Sequence, residues 1–327
     1  MERLLSLIQK SENIVLSTHR QCDGDGLGAE LALYFALKKI HKKVRVINVD
    51  STPKKYRFLS PDQHIGYYEE NPTQDLSADL VLIFDTNDSR LLEPLYSALK
   101  QKCDHFAFID HHSILKKGPV PTADSIIDTS AASTGELVYK LIQALNIPLD
   151  REIARCIYTS ITFDTQLYRF IRNSPTSHLI AAELLKYDIN PEEVHRYLFA
   201  HQTVNKMAFL AKALGQIEYH CDGKLAVLRL HDKDLFHYNL EPDESRDVID
   251  MLMNIEGLEA AVMFREDAPS EYKVSLRSKG QVEVLNVAES LGGGGHKFAA
   301  GAFAKGTYAE LKDKVVKELT SQLSMLR

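Results

Sequence analysis

The chain has 327 residues, of which 44% are hydrophobic and 26% charged, and a formal net charge of −6. This is the composition of a soluble globular protein of about two domains. No apolar run approaches the ~20 residues that span a bilayer, and the acidic balance argues against a grip on long duplex nucleic acid, which needs a basic face to displace counterions.

The N-terminal "MERLLSLIQK" reads as an amphipathic helix, not a signal peptide. "NIVLSTH" then reads as a strand, followed by the periodic helix "GAELALYFALKKIH". Strand-like "VRVINVD", "ADLVLIFDTND", "HFAFIDHH" and "SIIDTS" come next, with helix-like "RLLEPLYSALKQ" among them. Strands alternating with helices imply right-handed crossovers and a parallel sheet. Their near-continuous apolar character implies helices on both faces.

From Thr134 to about Leu214 the pattern is helical: "TGELVYKLIQALN", "REIARCIYTSIT", "SHLIAAELLKY" and "PEEVHRYLFAHQTVNKMAFLAKALG", the last starting at Asn190-Pro191. In the final part, "KLAVLRLH", "LEAAVMFRED" and "EYKVSLRSK" read as strands, with helical "ESRDVIDMLMN" and "VEVLNVAES" and a last amphipathic helix after Gly306. The expected fold class is α/β: a parallel-sheet domain over residues 1–190, a helical linker over 191–215 and a smaller α+β domain over 216–327. Four scattered cysteines, Cys22, Cys103, Cys156 and Cys221, without a C-x-x-C pair fit a reducing, cytoplasmic setting.

In an open parallel sheet, ligands bind where the carboxyl ends of strands meet the following loops. Here those ends carry His19, Asp23 and Asp25 in "HRQCDGDG", Asp85 after "LVLIF", and Asp110, His111 and His112 in "FIDHH". Asp164 follows the helix "REIARCIYTSIT". Each alone has a plain reading as a cap, a turn or a solvated loop. Together they form a set of carboxylates that would repel one another unless cations lay between them. Mixed aspartate and histidine ligands suit Mn²⁺ or Mg²⁺ at two adjacent positions. In the last part, the glycines of "LGGGGHKFAAG", among them Gly293, Gly294 and Gly295, let backbone N–H groups approach an anion. A flexible connector is the plain reading. His296 after them, and Arg277 and Ser278 ending a strand, favour recognition of a phosphate or nucleotide.

"HRQCDGDG", Asp85, "DHH" and "FDT" resemble, in order and approximate spacing, the four motifs of DHH phosphoesterases. "LRSKG" and "LGGGGHKFAAG" resemble the accompanying DHHA1 domain, and the two-domain size resembles the NrnA-type branch of nanoRNases and pAp phosphatases. The resemblance implies that His19 and Asp23 hold one metal, that Asp25, His111 and Asp164 hold the other, and that Asp85 bridges both. It implies that Asp110 orients His111, that His112 faces the scissile phosphate, and that Arg277, Ser278, the glycines and His296 read the nucleotide end of the substrate. The implied activity is hydrolysis, with two Mn²⁺ (or Mg²⁺), of short 5′-phosphorylated oligoribonucleotides and dinucleotides to mononucleotides and of pAp to AMP plus phosphate. It also allows a homodimer.

Two departures from the family pattern stand out. Cys22 replaces a common proline, and Gln166, Leu167 and Tyr168 occupy a stretch that is commonly Gly-rich. Rival readings are a phosphodiesterase dedicated to linear dinucleotides such as pApA or pGpG, a family II pyrophosphatase, a RecJ-like exonuclease, and a nucleotide-binding regulator with structural metals.

Overall fold

The computed structural model describes residues 1–60, 65–103, 105–115, 118–200 and 202–325. They divide into two compact units, Met1–His201 and Gln202–Arg327. The first unit contains α1 (Glu2–Lys10), β1 (Asn13–Thr18), α2 (Gly24–Lys39), β2 (Lys43–Asn48), β3 (Ile65–Tyr67), β4 (Leu80–Phe84), α3 (Leu95–Lys100), β5 (Phe106–Asp110) and β6 (Ile126–Ile127). The helices α4 (Thr134–Ala144), α5 (Arg151–Asp164), α6 (Thr176–Leu184) and α7 (Pro191–Phe199) complete it.

Its six strands form one parallel sheet in the order β3-β2-β1-β4-β5-β6. Side chains alternate across the pleat. Ile14, Leu16, Leu82, Phe84 and Ile109 pack with α1, α2, α4 and α5 on one face. Val15, Val81, Ile83, Phe106 and Phe108 pack on the other, where Leu95 and Leu99 of α3 cover them. Both faces are therefore dry, as the apolar runs imply. β3 is absent from the sequence reading because three residues, "IGY", carry no usable period. The helix-like stretch around "RLLEPLYSALKQ" is broken at Pro94, so only Leu95–Lys100 is α-helical.

The second unit contains α8 (Val204–Leu214), β7 (Glu218–His220), β8 (Leu225–His231), α9 (Asp232–His237), α10 (Arg246–Leu252), β9 (Ala260–Ala268), β10 (Glu271–Ser278), α11 (Leu285–Ser290), β11 (Gly294–His296), β12 (Ala299–Lys305) and α12 (Tyr308–Ser324). Its sheet runs β11-β12-β10-β9-β8-β7, antiparallel except for the parallel β8–β9 pair. Residues 191–215 fall on both sides of the division between units. α7, capped by Asn190, buries Val194 and Leu198 in the first unit, and α8, capped by Thr203, buries Phe209, Leu210 and Ala213 in the second. Among the described residues no helix is long and apolar enough to cross a membrane.

Candidate metal centre

Strand register sets the first half of the site. Thr18 of β1 pairs with Phe84 of β4, and Phe84 pairs with Ile109 of β5. The next residues along the three strands, His19, Asp85 and Asp110, therefore share one row at the carboxyl edge of the sheet. β1 and β4 are also where the strand order reverses, the position at which open α/β sheets take their ligands.

Around that row, donor atoms of His19, Asp23 and Asp85 lie within 4.8 Å of one another, as do those of Asp25, His111 and Asp164. Asp85 joins the two groups. Its Oδ2 is 3.6 Å from His19 Nε2, while its Oδ1 is 3.6 Å from His111 Nε2. His111 Nε2 is also 3.4 Å from Asp25 Oδ2 and 3.4 Å from Asp164 Oδ2. Two ligands each ~2.1 Å from one cation sit about 3.0–3.4 Å apart. The separations are close to that span and longer than a usual N–H···O hydrogen bond. Carbonyl oxygens fix both rings: His19 Nδ1 is 2.8 Å from that of Arg20, and His111 Nδ1 is 3.2 Å from that of Ala131. Each ring thus directs Nε2 at the carboxylates, which is how a second ring nitrogen orients a metal ligand. The donor set fits a pair of divalent cations.

Local structure explains why these residues converge. Asp23 caps α2, its Oδ1 accepting from Asp25 N at 3.0 Å. The same carboxylate that caps the helix also lies in the candidate ligand group with His19 and Asp85. Asp25 is fully buried and accepts from Thr134 N at 2.9 Å, from Gly135 N at 3.2 Å and from Ser160 Oγ. Thr134 Oγ1 also donates to Asp85 Oδ1 at 3.1 Å. The helices α2, α4 and α5 approach closely enough to make these bonds because small residues meet there. A Cβ added to Gly28 would lie 2.6 Å from the Cys156 carbonyl oxygen and 2.8 Å from Ser160 Cβ, and one added to Gly135 would also strike Ser160.

The electrostatics are those of a crowded acidic site. Burial raises Asp25 well above the usual carboxylate range, and Asp164 adds to it. Asp85 is raised by burial and then by Asp25, Asp23, Asp110 and Asp164. Asp164 is raised to about 7, chiefly by burial, with His112 opposing. Burial lowers His111 to about 3, with His112 adding to the effect, so its imidazole is neutral and available as a ligand. For Asp110, burial acts upward, but His112 and His111 outweigh it and bring the carboxyl down to about 2. Burial acts downward on His112, yet Asp110 prevails and lifts it to about 9.

One expectation needs correction. Asp110 serves His112: its Oδ1 is 2.8 Å from His112 Nδ1 and accepts from His112 N at 3.1 Å, while its Oδ2 accepts from Asn87 Nδ2 at 2.6 Å. The ring of His111 is oriented by Ala131. A peptide reverses its side chains residue by residue at a strand end, so Asp110 reaches the residue two places on, and His111 points away from it.

The backbone is strained where the site needs it. Asp85 has φ 58°, and Gln166, Leu167 and Tyr168 have φ 47°, 61° and 64°, a left-handed run that begins two residues after Asp164. Left-handed backbone costs ordinary residues about 1–2 kcal/mol each, which accounts physically for glycine being common at this point in the resembled motif. Cys22, the other departure, is buried, and burial together with Glu30 and Asp50 pushes its thiol well up. It belongs to neither ligand group.

In the second unit, β-register aligns His296, Ala299 and Arg277 in one row across β11, β12 and β10. Arg277 Nε donates to Asp250 Oδ1 at 3.0 Å. Ser278 Oγ accepts from Gly280 N and Val282 N, so its hydroxyl closes the turn after β10. The expected glycine loop is partly an edge strand, β11. Gly293 and Gly295 are needed for its fit, since an added Cβ would lie 2.0 Å from the Gly301 carbonyl oxygen or 2.7 Å from that of Ala299. Arg265 is buried; it ties β9 to the Pro242 carbonyl and pairs with Asp267 on the same strand.

Sequence reasoning did not single out Asn87, Thr134 or Ser160 as part of the site, nor Glu30 and Asn48. Asn48 Oδ1 accepts from Thr18 N at 3.1 Å and its Nδ2 donates to Glu30 Oε1 at 2.7 Å, bracing the strand end before His19. Thr134 was visible only as the start of a helical pattern, and Ser133 does cap α4 there.

Comparison with known proteins identifies the family. The DHH family, N-terminal domain, matches residues 13–161, and the DHHA1 domain matches residues 222–325. A bifunctional oligoribonuclease and PAP phosphatase NrnA from Thermus thermophilus is 30% identical over 94% of this chain and 90% of its own length. A probable bifunctional oligoribonuclease and PAP phosphatase NrnA from Streptococcus mutans is 26% identical over 91% of this chain and 92% of its own. In fold, the chain is similar to an exopolyphosphatase-related protein from Bacteroides fragilis, with TM-score 0.88 and 23% identity over 100% of this chain and 98% of that one. It is also similar to RecJ from Thermus thermophilus in complex with Mn²⁺, with TM-score 0.59 and 18% identity over 98% of this chain and 54% of that one. With both domain matches in place and a full-length relative at this identity, the chain belongs to the DHH/DHHA1 phosphoesterase family, in its NrnA-type branch.

Proposed function

We propose that this protein is a divalent-metal-dependent phosphoesterase that hydrolyses short 5′-phosphorylated oligoribonucleotides to mononucleotides and pAp to AMP plus phosphate, with Mn²⁺ as its metal. The observation that carries the reading is the Asp85 carboxylate, whose two oxygens face His19 on one side and His111 on the other. The names of the relatives support the substrate class. His19, Asp23 and Asp85 would hold one cation, and Asp25, His111, Asp164 and the other oxygen of Asp85 the second. Bound there, the pair supplies Lewis-acid stabilisation of the phosphoryl oxygens and a lowered pKa for the attacking water.

The protein's own groups do the rest. His112, held protonated by Asp110, stabilises charge on the phosphoryl oxygens and gives a proton to the departing 3′-oxygen. Thr134, Gly135 and Ser160 hold Asp25 in place. Arg277, the glycine segment and His296 anchor the nucleotide that bears the 5′-phosphate. Both substrates present phosphorus on the 3′-oxygen of such a nucleotide. Water oxygen bonds to phosphorus, the P–O3′ bond breaks, and a 5′-mononucleotide leaves. Four free cysteines support a cytoplasmic setting.

The test is product analysis with purified protein and Mn²⁺ on pAp, pApA, five-mer RNA and pyrophosphate. AMP from pAp and mononucleotides from both RNAs are expected. Turnover of pyrophosphate alone, or of no substrate, overturns the reading.

A further inference from the structure

The turn that carries His19 is held from one side by the end of β2. Pairing between β1 and β2 runs to Leu16 and Val46. Beyond it, side chains take over from the ladder. Asn48 Oδ1 accepts from the backbone N of Thr18, the residue before His19, at 3.1 Å. Asp50 accepts from Gln21 N, two residues after His19, with its two oxygens at 3.1 and 3.0 Å. Gln21 has φ 53°, a left-handed kink that turns the chain from β1 towards the start of α2. Two residues from one strand end therefore bracket His19 and Arg20. The Arg20 carbonyl, which orients His19 Nδ1, lies inside that bracket.

Asn48 can serve only one way round. Its amide has an accepting oxygen and a donating nitrogen, and a flip would set two donors, Nδ2 and the Thr18 N–H, against each other. Glu30 of α2 fixes the orientation, because its Oε1 accepts from Asn48 Nδ2 at 2.7 Å. Both side chains are buried, Glu30 completely. Glu30 Oε2 has no hydrogen-bond partner among the described residues. A buried carboxyl with one oxygen unpaired costs stability. Burial raises this one to about 8, with the Asn48 bond opposing, so it keeps its proton at neutral pH. An apolar side chain of the same length would pack α2 against the sheet without that cost. What the acid supplies is the bond to Asn48.

We propose that Glu30, Asn48 and Asp50 are positioning residues for the cation group of His19, Asp23 and Asp85, and that they do not serve the group of Asp25, His111 and Asp164. The second group has supports of its own: Thr134, Gly135 and Ser160 on Asp25, and the Ala131 carbonyl on His111. The inference rests on the proposed function and deepens it, by giving each half of a two-cation centre a separate scaffold.

The test is Mn²⁺ binding to the metal-free protein, followed by EPR of the free ion with no substrate present. Asn48→Leu is expected to weaken one of two binding steps by about tenfold or more, as loss of a support behind a metal ligand does, and to leave the other within about twofold. His19→Ala identifies the step. In that background Asn48→Leu should change nothing further, because the ligand it positions is gone. Glu30→Met should weaken the same step, and Glu30→Gln, which keeps an oxygen for Asn48 Nδ2, should restore it. Equal weakening of both steps, or the same loss from Asn48→Leu with and without His19, marks a merely structural role and overturns the proposal. Two unchanged steps overturn it as well. Should Asn48→Leu fail to fold, Glu30→Met and Glu30→Gln decide by the same criteria. A wild type that binds no Mn²⁺ overturns the metal reading and this inference together, whereas two wild-type steps with unmoved variants overturn the inference alone.

Discussion

Replacing Asp164 with Asn should stabilise the metal-free protein while destroying its response to metal. Donor oxygens of Asp25 and Asp164 lie within 4.8 Å of each other. At an effective dielectric constant of ~20, two unit charges at that separation repel by about 3.5 kcal/mol. The Asp164 side chain is 32% exposed, and a proton held between the two carboxyls relieves part of the repulsion, so about 1–2 kcal/mol is the expected gain. The sign with pH follows from the raised carboxyl. Asp164 titrates at about 7 in the folded protein, against an ordinary value near 4 when unfolded. The penalty is absent below pH ~4, grows between, and is complete above pH ~7. At 2–4 °C per kcal/mol for a domain of this size, Asp164→Asn should melt about 2–8 °C above wild type in EDTA at pH 8, with the gap closing towards pH 5. Wild type should gain about 2.7 kcal/mol from Mn²⁺ at 100 times its Kd, and the variant far less. Thermal unfolding in EDTA and in Mn²⁺ at both pH values checks this. A variant no more stable than wild type at pH 8 in EDTA would refute the claim that these carboxylates await cations.

Asp85→Ala should abolish hydrolysis of pAp and RNA alike, by at least about 10³-fold, because both cation groups lose a shared ligand; turnover of either substrate would contradict the single-site reading. Arg277→Ala, by contrast, should chiefly raise KM. Asp110→Asn should cut kcat by about 10²-fold or more and bring the alkaline limb of the pH–rate profile down from about 9 towards an ordinary histidine, since His112 is protonated below that limb and loses its acid form above it. An unmoved limb would show that another group sets it. Gln166→Gly should raise stability by about 0.5–1 kcal/mol, the relief of left-handed strain less the entropy glycine loses on folding, and denaturant unfolding midpoints measure it.

The candidate metal ligands were legible because they sit where chain chemistry changes abruptly. An apolar run that stops at Asp85 or at Asp110-His111-His112 marks a strand end in any parallel sheet, and "GDG" before a periodic helix marks its cap. The residues that hold those side chains were not legible. Thr134 and Ser160 are 109 and 135 positions from Asp25, and nothing in their local sequence shows that their donors meet its carboxylate. β12 was missed for a related reason. "AAGAFAK" has little intrinsic strand preference and is held as a strand by pairing with β10 on one side and β11 on the other.

Alternation of apolar runs with helical periods, and the identity of the polar residues that end those runs, come from the linear chain, since both depend on neighbours two to four positions away. Which nitrogen of His111 meets the carboxylates, that Asp110 serves His112, and that Asp85 divides its oxygens between two groups were decided only by tertiary packing. Each depends on strand register and on helices brought together across scores of residues, and short-range pattern carries no record of either.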